Sequence, residues 1–258
     1  MRVKTLCFGA TVFSCGYALT HDDVMIVERG INPAAEFALA LYKPYISEPS
    51  TKIGSMLWEE TLQRGFRVAT RLHLPPVSSL MSKFLYDAAV KVYLSCEKVS
   101  CVRTDSEWLT EVFTVDGYTK IESDYIINTY ADPEDLIEGA DKYICAAVAD
   151  SVKEHVQPAD TDGIHFIKGA LDGEYIAAVK LESGDDFIKA RRKFHREWQL
   201  FRALPENNRY TAAALAGAIA LDYPAPVLDP KRQTAISASF ADIMKALEGG
   251  AAYVVDNY

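Results

Sequence analysis

Residues 3–30 read VKTLCFGATVFSCGYALTHDDVMIVERG, and this stretch decides the fold. Val3 to Phe8 is rich in β-formers, and Gly9-Ala10-Thr11 makes a tight turn. Val12 to Leu19 has the length of a short helix, and Val24 to Val27 is a buried strand. A strand, turn, helix and strand in this order can bind a dinucleotide. The helix-terminal N–H groups point at the pyrophosphate, and an acidic residue ending the second strand takes the ribose hydroxyls. Gly9 is then the first glycine of the fingerprint and Glu28 the acidic residue. Residues 2–19 also imitate a secretory signal, with Arg2 and Lys4 ahead of an apolar run. Their direct continuation into a strand that ends in Glu28-Arg29-Gly30 favours the folded unit.

Working outward, residues 77–129 carry a second ordered pattern. Leu80, Phe84, Leu85 and Ala88 fall at helical spacing within a helix expected over Val77 to Ala89. Strands are expected over Val90 to Leu94, Cys96 to Arg103 and Trp108 to Val115. Asp116-Gly117 is a hairpin turn, Tyr118 to Glu122 its partner strand, and Asp124 to Thr129 a buried strand leaving the hairpin.

Together the two regions resemble the FAD-dependent oxidoreductases of the glutathione-reductase-like type. Their opening strand, Gly-x-Gly-x-x-Gly turn and Glu-Arg-Gly ending correspond to residues 3–30. The chain departs from that pattern at Thr11 and Ser14, which stand in place of the second and third glycines. A Cβ at position 11 keeps backbone away from a pyrophosphate, and Phe13 is bulky for the turn. Gly9 and Glu28 are 19 residues apart (28 minus 9), about one helical turn less than the family spacing. In the family the strand after the helix touches adenine near its end, here near Val99. The strand after the meander ends in Ala-Thr-Gly beside the cofactor, and here it ends in Asn128-Thr129-Tyr130.

The resemblance implies an α/β fold: a Rossmann-like, FAD/NAD(P)-binding three-layer core with a β-meander and a smaller α+β part. Residues 1–160 and 225–258 would form the first domain and 163–222 the second. It implies FAD as cofactor, held by Gly9, Ser14, Glu28, Arg29, Val99, Thr129 and Tyr130, and an oxidoreductase activity on an unidentified small molecule. The family's late Gly-Asp motif is missing; Asp242 and Asp256 are the nearest candidates, and neither follows a glycine. Two readings from other classes stand beside this one. One is a flavoprotein-like chain that has lost FAD and serves as a binding or regulatory subunit, with a protein partner or a second copy. The other is a plain NAD(P)-binding domain.

Elsewhere the chain offers fewer signals. Asp132-Pro133-Glu134-Asp135 reads as a helix start, with the helix running to about His155 on a stripe that includes Ile144, Val148 and Val152. Gln157 to Gly163 reads as a linker. Gly173 to Leu181 is an expected strand and Asp185 to Leu204 an amphipathic helix. That helix carries Lys189, Arg191, Arg192, Lys193, His195 and Arg196 on its polar faces. Arg209 to Leu221 is ambiguous between strand and helix. Ser237 or Ser239 is expected to cap a last helix that Gly249-Gly250 ends, with 251–258 returning as a strand.

Composition narrows the function classes. With 27 Lys+Arg against 36 Asp+Glu, the net charge of -9 disfavours a phosphate-backbone partner. No apolar run reaches the roughly 20 residues of a membrane span, so a cytoplasmic protein is expected. Five cysteines with no Cys-x-x-Cys pair argue against a disulfide framework and a structural zinc. The five histidines lack ligand spacing, so no metal is expected; His73 is the one to test as an acid or base. No phosphate-binding loop with a lysine, zinc-protease motif or nucleophile elbow occurs. The catalytic residues therefore stay unknown.

Overall fold

The computed structural model describes residues 1–130, 140–152, 154–229 and 233–255. The opening unit is β1 (Arg2–Phe8), α1 (Val12–Ala18) and β2 (Val24–Val27). Thr11 caps α1 by accepting the Ser14 N–H, which satisfies one of the donors a helix start leaves open. There follow α2 (Ala35–Ala38), α3 (Lys52–Gln63), a small hairpin of β3 (Arg67–Val68) and β4 (Arg71–Leu72), α4 (Val77–Asp87) and β5 (Lys91–Tyr93). The meander is β6 (Glu97–Arg103), β7 (Trp108–Thr114) and β8 (Gly117–Asn128).

The next elements are β9 (Asp141–Asp150), β10 (His165–Lys168), β11 (Glu174–Leu181), α5 (Phe187–Arg202), β12 (Tyr210–Leu215) and β13 (Ala220–Asp222). The last are β14 (Val227–Asp229), β15 (Thr234–Ile236), a 3₁₀ turn over Ser237–Ser239 and α6 (Ile243–Ala251).

The first sheet runs β14-β15-β8-β1-β2-β5, with β15, β8, β1, β2 and β5 parallel. β8 changes partners along its length: its first half pairs antiparallel with β7, its second half parallel with β1, from Arg2↔Glu122 to Phe8↔Asn128, and Asn128 also pairs with Thr234 of β15. Alternation along β1 and β2 divides the core. Cys7 and Ile26 face the helices α1, α4 and α6, while Leu6, Phe8, Met25 and Val27 face the meander residues Val112 and Ile121. This is the α/β three-layer core with a meander that the sequence leads one to expect.

β1 lies between β2 and β8, so chain connections leave it in both directions. An open α/β sheet has its crevice at such a switch point, outside the carboxyl ends of the strands. Those ends are Phe8, Val27 and Asn128.

The second sheet is antiparallel, in the order β10-β11-β9-β12, with β13 also on β9. α5 covers it through Ala190, Phe194 and Phe201. β9 corrects the helix expected to run to His155. Tyr143 to Val148 mixes aromatic, β-branched and small residues suited to a strand paired on both sides, and Ile144 and Val148 only imitate helical spacing. The Asp132 to Asp135 start lies outside the described residues. Because β9 belongs to this sheet, its strands begin at Asp141, ahead of the expected division at 160–163. The 157–163 segment is a loop between two of its strands.

The ambiguous 209–221 region is strand, as β12 and β13. The cap of α6 is Asp242 rather than Ser237 or Ser239, and Gly249-Gly250 lies inside the helix rather than ending it. A Cβ at Gly250 would overlap the Phe13 carbonyl, and one at Gly16 the Leu247 carbonyl. These glycines are there for the close crossing of α1 and α6. Residues 253–255 form no strand, and 256–258 lie outside the described residues.

Candidate functional site: the crevice at the switch point

A small cleft of about 100 Å³ opens at the carboxyl ends of β1, β2 and β8, lined by Phe8, Val27, Arg29, Lys98, Asn128 and Tyr130, with Cys96 and Glu97 beside them. Gly9 begins the turn beneath it at φ +102, and a Cβ there would stand 2.6 Å from the Thr129 hydroxyl. The Thr129 hydroxyl donates to the Phe8 carbonyl at 2.8 Å and accepts from the Thr11 hydroxyl at 2.8 Å. The Ser14 hydroxyl donates to the Gly9 carbonyl at 2.5 Å. The side chains that replace the fingerprint glycines therefore tie the turn to itself.

Glu28 follows directly on β2, as its place in the sequence suggests, and its side chain is buried. It accepts the Ala10 N–H at 2.7 Å and the Gly30 N–H at 2.5 Å. Tyr130 leans over the same group. Its hydroxyl accepts the Arg29 N–H at 3.1 Å, and its ring lies 4.9 Å under the Arg29 guanidinium. Burial, and then the Glu28 carboxylate, hold the Tyr130 phenol well above its ordinary pKa.

Glu36 on α2 completes the arrangement, and sequence reasoning missed it. Its Oε1 accepts the Val12 N–H at 2.8 Å and the Ser237 hydroxyl at 2.6 Å, while the Ser237 oxygen accepts the Phe13 N–H at 3.2 Å. Burial pushes the Glu36 carboxyl up to about 7, and the nearby Glu28 adds to the shift. The signal available in the sequence was a single acid in an otherwise apolar run, Ala34 to Leu41. Asp242 likewise serves its own helix, accepting the Met244 and Lys245 N–H groups at the start of α6.

A dinucleotide would present its diphosphate to the N–H groups around this turn. Those of Ala10, Val12, Phe13 and Ser14 are already bonded, to Glu28, Glu36, Ser237 and Thr11 respectively. Glu28 and Glu36 thus take up N–H groups of the turn that a diphosphate would otherwise meet. The residues present do not fit FAD in this arrangement.

Six of the seven site residues expected from the sequence gather here: Gly9, Ser14, Glu28, Arg29, Thr129 and Tyr130. Val99 does not line the cleft; it lies at a bulge of β6, where the register shifts between Lys98 and Ser100. His73 is bound elsewhere, its Nδ1 2.5 Å from Glu174 Oε1. The cations of α5 share their surface with Glu182 and Asp185. The cysteines are unpaired, and among the described residues no group of three potential metal ligands occurs.

No family model matches the chain, and no curated protein does. Solved structures do. The p-nitrophenol 4-monooxygenase PnpA from Pseudomonas putida DLL-E4 superposes with TM-score 0.60 at 13% identity, over 97% of this chain and 76% of that one. The flavin-dependent halogenase CmlS gives TM-score 0.61 at 11% identity, over 97% of this chain and 56% of the halogenase. The myxobacterial chondrochloren halogenase CndH, a variant of FAD-dependent halogenases, gives 0.59 at 10%, over 96% and 72%. The chain thus spans about three quarters of the monooxygenase and little more than half of CmlS. At these identities the likeness is one of architecture: the chain shares the fold of this monooxygenase and of the two flavin-dependent halogenases.

Proposed function

We propose that this chain is an FAD-dependent-oxidoreductase-like protein that does not hold FAD and acts as a binding or regulatory component. The observation that carries this is the bonding of the Ala10, Val12, Phe13 and Ser14 N–H groups to the chain's own side chains. An anion entering the turn would have to displace the Glu28 and Glu36 carboxylates. The acidic balance and the absence, among the described residues, of a helix able to cross a membrane agree with a protein partner or second copy in the cytoplasm. Its working division is a first unit of residues 1–130 with 225–255 and a second of 140–222, which follows the two sheets.

A second reading keeps FAD and makes the chain an oxidoreductase acting on a small molecule. The Glu28-Arg29-Gly30 ending at the close of β2 and the cleft beside it favour this reading. It requires Glu28 and Glu36 to leave their N–H partners.

The absorbance spectrum of the purified protein separates the two. It is recorded before and after incubation with excess FAD and removal of free ligand. A colourless protein in both spectra is the expected result. Flavin bands that stay with the protein would favour the second reading and open the search for a substrate.

A further inference from the structure

Between α3 and α4 runs a trough of about 370 Å³ with an apolar floor of Leu19, Ile53, Met56 and Phe84. Met56 is 43% exposed there. The rim is acidic. Glu59, Glu60 and Asp87 stand along it, and its lysine, Lys83, is already held by Asp87 at 2.7 Å and by Glu60 at 3.7 Å. Across Leu19 and Ala88, which line both, the trough opens into a second hollow of about 510 Å³ that adds Asp22 and Asp23 against Lys91.

α5 has the opposite character. Its 16 residues carry six cations and a single acid, Glu197, in a chain of net charge -9. Ala190, Phe194 and Phe201 face the second sheet, so helical spacing turns Ile188, Arg191, Arg192 and His195 outward. Ile188 is 65% exposed, and Arg191 and Arg192, three and four places on, flank it on the helix surface. The acids near α5 are engaged beside this face. Glu197 pairs with Arg196, Glu182 lies by Lys193, and Asp186 accepts the Lys189 N–H at the helix start.

We propose that this chain associates with itself, the outer face of α5 of one copy seating in the trough between α3 and α4 of another. Ile188 covers the apolar floor, and Arg191 and Arg192 meet the carboxylates of the rim, as an amphipathic helix docks in a groove. The lengths agree. At 1.5 Å per residue α5 is roughly 24 Å long, and α3 and α4 are roughly 18 and 16 Å. The occupant is a second copy because each molecule carries both complements, and at a net charge of -9 any other pairing of surfaces works against repulsion. A pair that exchanges helices closes with two such contacts, whereas a one-way arrangement grows into a ring or a chain. The proposal goes further than the functional reading, which leaves the partner open, and it holds whether or not the crevice takes FAD.

Sedimentation velocity of the full chain over a concentration series tests this. At low salt the average mass should rise with concentration. High salt should weaken the association at least about tenfold, since the contact joins opposite charges near the surface. Arg191→Glu with Arg192→Glu should stay monomeric where the unaltered chain associates, and so should Met56→Lys with Glu59→Lys. Mixed in equal amounts, the two variants should form a heterodimer, because one keeps its trough and the other its α5. An unaltered chain that is monomeric at every concentration would overturn the proposal. Association that either variant retains would do so too, as would a mixture that stays monomeric. Circular dichroism checks that each variant is folded. Should the reversed α5 unfold, Arg191→Gln with Arg192→Gln takes its place, with a weakening of at least about tenfold expected. Retained FAD bears on the functional reading alone, and the colour of the sample reports it separately.

Discussion

Glu28 shows how one side chain can sit where a motif demands and be put to another use. Its carboxylate bonds the Ala10 and Gly30 N–H groups and so ties the end of β2 to the turn after β1. Glu28→Ala should therefore cost about 1–3 kcal/mol of stability whether or not FAD is present, read from urea denaturation. Gly9→Ala should cost about 1–3 kcal/mol as well, because position 9 combines φ +102 with a close approach to Thr129. The residues of the turn could be found from the sequence, since their spacing relative to β1 and β2 identifies them. Glu36 could not be found that way. Its role depends on a left-handed turn at Ala34 and on Ser237, 201 residues further along the chain.

Among the elements, β9 is the instructive misreading. Ile144 and Val148 stand four apart, as a helix would place them, but the strand is set by partners that local sequence does not contain, β11 on one side and β12 and β13 on the other. Its end is held by an ion pair: the buried Asp150 carboxylate accepts from the half-buried Arg209 guanidinium at 2.6 and 2.8 Å. Arg209 holds the Asp150 carboxyl down to about 2, below its ordinary 3.8, so the pair's support is complete above that ordinary value and is lost as pH falls through about 2. Asp150→Asn should flatten the loss of stability on acidification between those values, as measured by acid titration of circular dichroism. In α6, Gly250→Ala should lower stability by about 1–3 kcal/mol, because the added methyl meets the Phe13 carbonyl and the two helices must separate. Gly249-Gly250 reads as a stop signal in the sequence only because the helix that it packs against lies so far away.

At the scale of the molecule, the larger of two apolar clusters joins the two sheets. It includes Cys7 and Ile26 from the first sheet and Ile144 and Phe166 from the second. Thermal or urea unfolding should accordingly be one transition, coincident by far-ultraviolet circular dichroism and by fluorescence. The emission comes from Trp58 on α3, Trp108 on β7 and Trp198 on α5, which sample different regions. Two separate transitions would show that the sheets are independent units. The α/β class and the order of elements through β8 were legible because the alternation of apolar residues and the turn chemistry of residues 3–30 and 77–129 act locally. The composition of the second sheet was not legible, because the residues that pair with β9 lie from 25 (Glu174↔Ala149) to 81 (Asp222↔Asp141) positions further along the chain.

The crossing of α1 and α6 also says something about how the chain comes to be folded. Residues 12–18 leave the ribosome well before 243–251, which supply the surface that covers them, so the whole of the intervening chain is made first. Until then the glycine faces at 16 and 250 have nothing to meet, and the apolar side of α1 stands exposed to whatever is nearby. Closure of the first unit is thus a late event that spans a very long loop. A nascent chain stalled before residue 243 should engage a holding chaperone that the finished protein no longer attracts.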